Sequence, residues 1–461
     1  MTADNTSFDV VILGGGSGGY ACALRASQLG LTVALVEKDK VGGTCLHRGC
    51  IPTKALLHAA EIADAVRESA QFGVNASLEG VDLRQVNTYK DEIVGRLYKG
   101  LQGLIKSREI TVVQGNGRLV GPRTVEVDGI RYDGKHVVLA SGSVTRSLPG
   151  LDIDGERVVS SWEAMQLDTV PQRVVVIGGG VIGVEFASAW RSFGAEVTIL
   201  EALPRLLAAE DPSSSKALER AFRKRGIVVE ANTAFSGVER TPSGVRVTVE
   251  SGETSEADIC LVAVGRGPHT ADLGYEEQGV ELDRGFVATN ERLQTKLAGA
   301  YAVGDIVPGM QLAHRGFQHG IFVAEDIAGL EPAVINEADI PRVTYCEPEV
   351  ASVGLSEDQA KAAHGPDEIE SLTYDLGGNG KSQILKTQGF VKVVRRRGGP
   401  VLGVHMVGSR VGELIGEAQL ICSWEAFPED VSALVHMHPT QNEALGEAHL
   451  ALAGKPLHSH S

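Results

Sequence analysis

The residues with the most evident chemistry are Cys45 and Cys50, two of six cysteines in a chain of 461 residues. They lie in the segment GGTCLHRGCIPTK, with four residues between them. Such a pair could exchange a disulfide with a thiol substrate, ligate a metal ion, or consist of two unlinked buried thiols. A metal site would need a second cluster of cysteines or histidines, and no CxxC or HxxxH segment supplies one. The spacing favours redox chemistry and leaves the other two interpretations open.

A helix that positions this pair must be distorted if the two sulfurs are to bond. In a regular helix, residues five apart have Cα atoms roughly 8–9 Å apart, which exceeds the roughly 7 Å limit for a disulfide. Gly49 is conformationally permissive, and Pro52 disfavours helical backbone at the residue before it. The apolar spacing from Thr53 to Ala65 predicts a helix with the pair near its N-terminus, where the helix dipole would lower a thiol pKa.

A phosphate-binding unit precedes the cysteines. The apolar run Val10–Leu13 predicts a buried strand, a helical pattern extends from Tyr20 to Leu29, and the next predicted strand, Thr32–Val36, ends at Glu37. Between the first strand and the helix, the pattern GxGxxG is formed by Gly14, Gly16 and Gly19. Together these parts make a dinucleotide-binding unit, in which the glycines admit a pyrophosphate at the helix N-terminus and the acid binds a ribose.

The same unit recurs later in the chain. A predicted strand at Val174–Ile177 precedes a second GxGxxG, and Glu201 ends the strand that follows. Its glycines are Gly178, Gly180 and Gly183. Two complete units predict two bound dinucleotides rather than one site and a degenerate copy. Because a carboxylate at Glu201 accepts from a ribose 2′-hydroxyl and repels a 2′-phosphate, a nicotinamide cofactor there should be NAD rather than NADP.

Composition restricts the class of protein. The length predicts about two to four domains, and many of the 56 glycines fall in short loops after apolar runs. A net charge of −16 disfavours nucleic acid as a partner. The sequence has no apolar run of about eighteen residues that would predict a membrane span, and its first residues show no secretory pattern, so we expect a cytoplasmic protein.

The cysteine segment resembles the redox segment of dihydrolipoyl dehydrogenases, in the pyridine nucleotide-disulfide oxidoreductase family of two-dinucleotide flavoproteins. The resemblance covers essentially the whole chain and depends on further motifs in a fixed order. These are LASGS at 139–143, VAVGRGP at 262–268, YAVGDI at 301–306, LAH at 312–314 and HPTQNE at 438–443.

The resemblance implies roles for individual residues. Cys45 would be the interchange thiol that meets the dihydrolipoyl substrate, and Cys50 the charge-transfer thiol beside the flavin. His438 would be the acid–base residue and Glu443 its orienting partner. One tightly bound FAD per subunit would contact Gly14, Gly16, Gly19, Glu37, Lys54, Gly117, Ser141, Gly142, Asp305 and Ala313, with Lys54 paired to Glu185. NAD, as substrate, would contact Gly178, Gly180, Gly183, Glu201 and Gly265, and no metal is implied.

Some of these assignments have simpler alternatives. Lys54 could be a solvated helix lysine, and Glu185 could merely occupy a helix face. His436 competes with His438, which we favour because it directly precedes the Pro-Thr pair.

Other features fit the family less directly. His269 stands where relatives commonly carry asparagine, which leaves the contact of that loop open, and Asn442 replaces a common serine. The segment RRRGGP at 395–400 predicts a basic hairpin turn in solvent. Three histidines near the C-terminus match no ligand spacing and predict a solvated tail: His449, His458 and His460.

The implied architecture is α/β, with two Rossmann-like dinucleotide-binding domains and an α+β C-terminal dimerisation domain. The expected boundaries are 1–149 for the first part of the FAD domain, 150–265 for the NAD domain, 266–340 for the second, central part of the FAD domain, and 341–461 for the dimerisation domain. The implied activity is NAD-linked oxidation of protein-bound dihydrolipoyl groups by a homodimer. Its partners would be the lipoyl-bearing acyltransferase of 2-oxo acid dehydrogenase complexes or the lipoyl protein of glycine cleavage. The alternatives are a related NAD(P)H-dependent disulfide or quinone reductase and an inactive flavoprotein scaffold.

Overall fold

The computed structural model describes residues 6–459, which form two compact units. The first unit contains the chain up to Leu56 together with Arg84–Arg146 and Gly265–Ile335. The second contains Leu57–Leu83, Ser147–Val264 and the chain from Asn336 onward.

The secondary structure of the described residues alternates between helices and strands over most of the chain. In order, the helices are α1 (Ser17–Gln28), α2 (Gly43–Arg48), α3 (Cys50–Glu68), α4 (Leu83–Ser107), α5 (Ser161–Ala164), α6 (Val181–Phe193), α7 (Pro212–Lys224), α8 (Ala313–Ile327), α9 (Glu357–His364), α10 (Gly380–Leu385), α11 (Val411–Ser423), α12 (Pro428–Val431) and α13 (Glu443–Leu452). The strands are β1 (Ser7–Leu13), β2 (Val33–Glu37), β3 (Thr111–Gln114), β4 (Gly117–Gly121), β5 (Thr124–Val127), β6 (Ile130–Leu139), β7 (Ser143–Thr145), β8 (Val158–Val159), β9 (Arg173–Ile177), β10 (Glu196–Glu201), β11 (Val228–Ala231), β12 (Phe235–Thr241), β13 (Gly244–Val249), β14 (Thr254–Ala257), β15 (Ile259–Val262), β16 (Arg266–Pro268), β17 (Leu282–Asp283), β18 (Phe286–Val287), β19 (Ala300–Ala302), β20 (Arg342–Thr344), β21 (Glu349–Gly354), β22 (Ile369–Asp375), β23 (Phe390–Arg396) and β24 (Val401–Gly408).

The first unit is built on a seven-stranded sheet. Its order is β3-β2-β1-β6-β5-β4, with β19 also paired to β6. The strands β3, β2, β1, β6 and β19 are parallel, and β5 and β4 extend the sheet with antiparallel pairing. The predicted strand Val10–Leu13 lies in β1, and all four of its residues are buried, as a parallel strand covered on both faces requires. Helices α1 and α8 approach so closely that a Cβ added at Gly320 would lie 2.3 Å from the carbonyl oxygen of Gly18.

The second unit contains the second predicted dinucleotide unit and an antiparallel sheet. The five-stranded parallel sheet β11-β10-β9-β15-β8 includes the predicted strand Val174–Ile177 within β9, and α6 follows it. The strands β20-β21-β24-β23-β22 form the antiparallel sheet, whose apolar face packs with α11 and α13 in one core. The chain therefore has the predicted α/β fold with an α+β C-terminal region.

The basic segment 395–400 comprises the last two residues of β23 and the turn into β24, which confirms the predicted hairpin. Its first arginine is not in solvent, however, because Arg395 is buried and forms ion pairs with Glu370 and Glu429.

No helix among residues 6–459 combines the length and the apolar character that a bilayer span requires.

Candidate active site

Cys45 and Cys50 lie on two successive helices. α2 ends at Arg48, Gly49 has non-helical backbone (φ −146°, ψ −108°), and α3 begins at Cys50. The predicted distortion is present, but the expectation that one helix carries both cysteines is wrong. A Cβ added at Gly49 would lie 3.1 Å from the carbonyl oxygen of Thr44, so the missing side chain lets the chain fold back at this point.

The two thiols interact directly. A hydrogen bond with Cys50 raises the pKa of Cys45, burial adds to the effect, and the positive charge of Lys54 opposes it. For Cys45 this direction is the reverse of the lowered thiol pKa predicted from sequence, because the hydrogen bond with Cys50 and burial outweigh any effect of a helix N-terminus. The raised pKa favours the protonated form of Cys45, whereas Cys50 begins α3, where a helix N-terminus favours negative charge.

The first glycine loop is closed by tight backbone contacts. Gly14 has φ +111°, and a Cβ there would lie 2.3 Å from the carbonyl oxygen of Ala140. A Cβ at Gly19 would lie 1.8 Å from the carbonyl oxygen of Gly14, so the strand and helix approach at a distance that only glycine permits. Glu37 accepts a hydrogen bond from Gly15 N at 2.7 Å. The acid predicted to bind a ribose thus also fixes the loop.

The cysteine segment is attached to this first loop. Gly42 N donates to the carbonyl oxygen of Gly15 at 2.8 Å, immediately before α2 begins. A Cβ at Gly43 would lie 2.6 Å from the Cα of Gly16, the residue that caps α1. The two glycines that open the redox segment therefore allow it to pack directly on the dinucleotide loop.

The second glycine loop repeats the first. Gly178 has φ +104°, a Cβ at Gly183 would lie 1.9 Å from the carbonyl oxygen of Gly178, and Gly180 caps α6. Glu201 accepts from Gly179 N at 2.6 Å, across the same 22 residues that separate Glu37 from its partner glycine in the first copy. The repeat predicted from sequence therefore extends to its hydrogen bonds.

A polar group that sequence analysis missed is centred on Arg266. Its Nε donates to Ser143 Oγ at 2.8 Å, and Ser143 Oγ donates to Asp305 Oδ2 at 2.6 Å. Burial lowers the pKa of the Arg266 guanidinium, whereas the charges of Asp305 and Cys50 raise it. The motif VAVGRGP contained this arginine, but nothing in its spacing indicated that it would orient Asp305.

The loop of His269 holds the segment LASGS through backbone atoms. His269 N donates to the carbonyl oxygen of Gly142 at 2.8 Å, and its own carbonyl oxygen accepts from Ser141 Oγ at 2.5 Å. Tyr275 OH also donates to Ser141 Oγ, at 2.9 Å. The two hydrogen bonds of residue 269 use its backbone N and carbonyl oxygen, so they do not depend on whether its side chain is histidine or asparagine.

Other predicted cofactor residues lie where a strand or helix begins, or where the backbone conformation or a close neighbour favours glycine. Gly117 begins β4, where a Cβ would lie 2.5 Å from a methyl group of Leu13. Gly265 has φ +98°, and Ala313 is the first residue of α8. Glu185 is buried on α6, and its Oε1 accepts from Tyr345 N at 3.0 Å.

His438 and Glu443 form a hydrogen-bonded pair. The Nδ1 atom of His438 lies 2.8 Å from Glu443 Oε1, and Thr440 N donates to the other carboxylate oxygen at 2.7 Å. Burial opposes ionisation of Glu443, but these hydrogen bonds hold its pKa below the ordinary value. The imidazole remains largely exposed, with 77% of the His438 side chain accessible. It can therefore exchange protons with a substrate.

The competing candidate, His436, is in a different environment. Its Nε2 lies 2.9 Å from Glu417 Oε1, and the side chain is only 11% exposed. The hydrogen bond to Glu417 raises the pKa of His436. Asn442, the replacement for a common serine, donates to the other oxygen of Glu417. The geometry favours His438 as the acid–base residue.

The prediction of a solvated C-terminal tail is wrong for His449. This residue lies on α13 with no exposed surface, and burial lowers its pKa to about 4. His458 is exposed and pairs with Glu447, while His460 lies outside the described residues. Within residues 6–459, no group of three or more histidine, cysteine, aspartate or glutamate residues is arranged to hold a metal ion.

Comparison with known proteins identifies two matching family models. The one described as pyridine nucleotide-disulphide oxidoreductase matches residues 8–320, and the one described as the dimerisation domain of these proteins matches residues 340–449.

Individual proteins are similar over nearly the whole chain. The dihydrolipoyl dehydrogenase of Bacillus subtilis (strain 168) is 40% identical over 98% of this chain and 99% of its own length. The mitochondrial dihydrolipoyl dehydrogenase of Pisum sativum is 39% identical over 98% of this chain and 92% of its own. The crystal structure of LpdA from Mycobacterium tuberculosis matches with a TM-score of 0.90 at 26% identity, covering 97% of this chain and 100% of that one.

Proposed function

The chain belongs to the pyridine nucleotide-disulphide oxidoreductase family, and we propose that it is an NAD-dependent dehydrogenase of protein-bound dihydrolipoyl groups. The observation that carries the proposal is the position of the cysteine pair. Cys45 and Cys50 share a hydrogen bond at the break between two helices, in a segment that packs on the first dinucleotide loop. That position suits electron transfer between a thiol substrate and a bound cofactor.

FAD fits the first glycine loop and NAD the second. Both loops lack side chains where a pyrophosphate would approach, both lead into a helix N-terminus, and both end at a carboxylate suited to a ribose. The remaining FAD contacts would come from Lys54, Gly117, Ser141, Gly142, Asp305 and Ala313, with Arg266 and Ser143 orienting Asp305, and Gly265 would contact NAD. When bound, FAD would supply two-electron redox chemistry between the cysteine pair and NAD.

The chain's own residues handle the thiols and the protons. His438 removes a proton from one dihydrolipoyl thiol, and the resulting thiolate attacks Cys45 Sγ of the oxidised pair, breaking the bond to Cys50. The second substrate thiol then attacks the substrate sulfur of the mixed disulfide, breaks its bond to Cys45 and gives its proton to Cys45 Sγ. The lipoyl disulfide is released, and two electrons have moved from the substrate to the pair. One proton ends on Cys45 and one on His438, and Cys50 keeps the negative charge. This distribution agrees with the raised pKa of Cys45.

The wider setting is also part of the proposal. The match to a dimerisation domain supports a homodimer, and the partners would be the lipoyl-bearing acyltransferases of 2-oxo acid dehydrogenase complexes or the glycine cleavage lipoyl protein. A cytoplasmic location suits a chain whose cysteines outside the pair are all buried. The domain boundaries at 149, 265 and 340 remain predictions.

A steady-state comparison of substrates tests the proposal. Dihydrolipoamide with NAD should support rapid NADH formation, whereas glutathione disulfide with NADPH, and a quinone with NADH, should turn over far more slowly. Faster turnover with glutathione disulfide or with the quinone would overturn the lipoyl assignment in favour of the related reductases.

A further inference from the structure

The second dinucleotide loop is held by a segment that reaches a distant part of the same unit. We call residues 203–211 the bridging segment. At the start of the segment, Leu203 N donates to Glu201 Oε1 at 2.7 Å. In its middle, Leu207 N donates to the carbonyl oxygen of Gly179 at 2.9 Å. Leu206 is fully buried, with a methyl carbon 2.4 Å from where a Cβ on Gly179 would lie. The position of this segment therefore defines the shape of the loop.

The far end of the bridging segment is bound to the C-terminal antiparallel sheet. Glu210 is buried, and its carboxylate accepts from Arg342 Nε at 3.0 Å and from Ser352 Oγ at 2.5 Å. Arg342 and Ser352 lie opposite each other on the paired strands β20 and β21.

Asp211 forms a second attachment to the same sheet. It has no exposed surface, caps α7 through Ser213 N at 2.9 Å, and accepts from Lys392 Nζ at 3.1 and 3.0 Å. Lys392, on β23, also pairs with Glu357 at 2.7 Å. Burial opposes ionisation of Asp211, but the hydrogen bonds from Ser213 and Lys392 hold its pKa below the ordinary value. Removing either charge of this buried pair would leave the other uncompensated.

We propose that Arg342 and Lys392 are positioning residues for the nicotinamide dinucleotide. They act through the bridging segment on the backbone of Gly179, so the dimerisation domain sets the affinity of the second loop for NAD. The inference rests on the proposed function for the identity of the dinucleotide.

The chain offers a matched control for a test of this coupling. Lys392 and Arg395 both lie on β23, both are buried, and each forms ion pairs with two carboxylates. The partners of Arg395 are Glu370 and Glu429, which lie outside the bridging segment. Lys392→Met and Arg395→Met each remove two ion pairs made by a buried cation on one strand, and only the first removes a contact with the bridging segment.

The experiment measures NAD binding to the FAD-loaded dimers by titration calorimetry, together with kcat and the KM for NAD. In Lys392→Met, the dissociation constant and the KM for NAD should rise about three- to tenfold, the size expected for indirect coupling. The kcat at saturating NAD should change little, and so should reduction of the cysteine pair by dihydrolipoamide without NAD. Arg395→Met should bind NAD like the wild type.

Ser352→Ala provides a milder variant if Lys392→Met does not fold. It removes one hydrogen bond to Glu210 and should raise the dissociation constant in the same direction by a smaller factor. Unchanged NAD binding in the variants that fold, or an equal rise in Arg395→Met, would overturn the inference. Because calorimetry with NAD needs no turnover, failure of the lipoyl assignment would appear separately, as absent oxidation of dihydrolipoamide by the wild type.

Discussion

The Nδ1 atom of His438 lies 2.8 Å from Glu443 Oε1, and the same carboxylate is held in place by Thr440 N. This relationship fixes the orientation of the imidazole and leaves Nε2 as the nitrogen that can exchange a proton with substrate. A carboxylate in this position also stabilises the protonated imidazole that forms when a thiol is deprotonated.

Glu443→Gln should therefore lower kcat with dihydrolipoamide about ten- to a hundredfold, because an amide stabilises the imidazolium less than a carboxylate does. Steady-state rates between neutral and alkaline pH would measure the loss. Glu447→Gln is the control, since Glu447 makes the same contact with His458 one turn further along α13. Equal losses in the two variants would refute the role of Glu443.

The two cysteines should differ in their effect on the flavin spectrum. If Cys50 carries the negative charge, Cys45→Ser should show long-wavelength thiolate–flavin absorbance without substrate, and Cys50→Ser should show none. Spectra of the two FAD-loaded variants, recorded over a range of pH, decide the assignment. Absorbance that persists only in Cys50→Ser would reverse the two roles.

Glu201→Ala should weaken NAD binding and narrow the preference for NAD over NADP. A hydrogen bond to a charged group contributes about 1.5–3 kcal/mol, and the carboxylate also holds Gly179 N and Leu203 N. Glu201→Gln keeps an acceptor and should show a smaller loss. Titration of each variant with NAD and with NADP provides the comparison, and parallel changes for both nucleotides would exclude a ribose contact.

The family resemblance further predicts that His438 of one subunit serves the cysteine pair of the other. Cys45→Ser and His438→Ala chains should each be nearly inactive, and refolding them together should produce mixed dimers with one intact site. Random pairing makes half of the dimers mixed, so activity should recover to about a quarter of the wild-type value. Mixed dimers that are confirmed by mass spectrometry but remain inactive would place the whole site within one chain.

Acid should destabilise the fold in part through His449. Burial lowers the pKa of this residue to about 4 from an unfolded value of 6.5, so its contribution to stability is present above 6.5 and is lost as the pH falls toward 4. Between pH 6.5 and pH 4, the unfolding free energy of His449→Gln should fall by roughly 3 kcal/mol less than that of the wild type. Denaturant unfolding at several pH values tests this, with the exposed His458→Gln as control; an unchanged pH profile in His449→Gln would contradict it.

The parts that sequence predicted well are those specified by local patterns. The strand before Gly14, the strand-end acids Glu37 and Glu201, and the hairpin at 395–400 all follow from short-range spacing. The residues that determine these features lie close together in the chain, because backbone conformation and apolar periodicity are local properties. A short stretch of sequence is therefore enough to predict them.

The parts that sequence missed depend on contacts between distant segments. Arg266 orients Asp305 through Ser143, which lies 123 residues earlier in the chain. The burial of His449 depends on the packing of α13 in the C-terminal core, which no spacing between histidines reveals. The helix break between the cysteines could be anticipated from Gly49, but its effect on the pKa of Cys45 required the positions of both thiols.

The matching hydrogen bonds of the two glycine loops mean that one backbone frame supports two different neighbouring segments. In each copy the residue after the first glycine is bonded at both its polar atoms: Gly15 by Glu37 and Gly42, and Gly179 by Glu201 and Leu207. The copies diverge immediately after the residue that closes the loop, one continuing into the redox cysteines and the other into Asp211. The frame of each loop is thus independent of the segment that follows it, and that segment determines whether the loop adjoins a thiol pair or a buried ion pair.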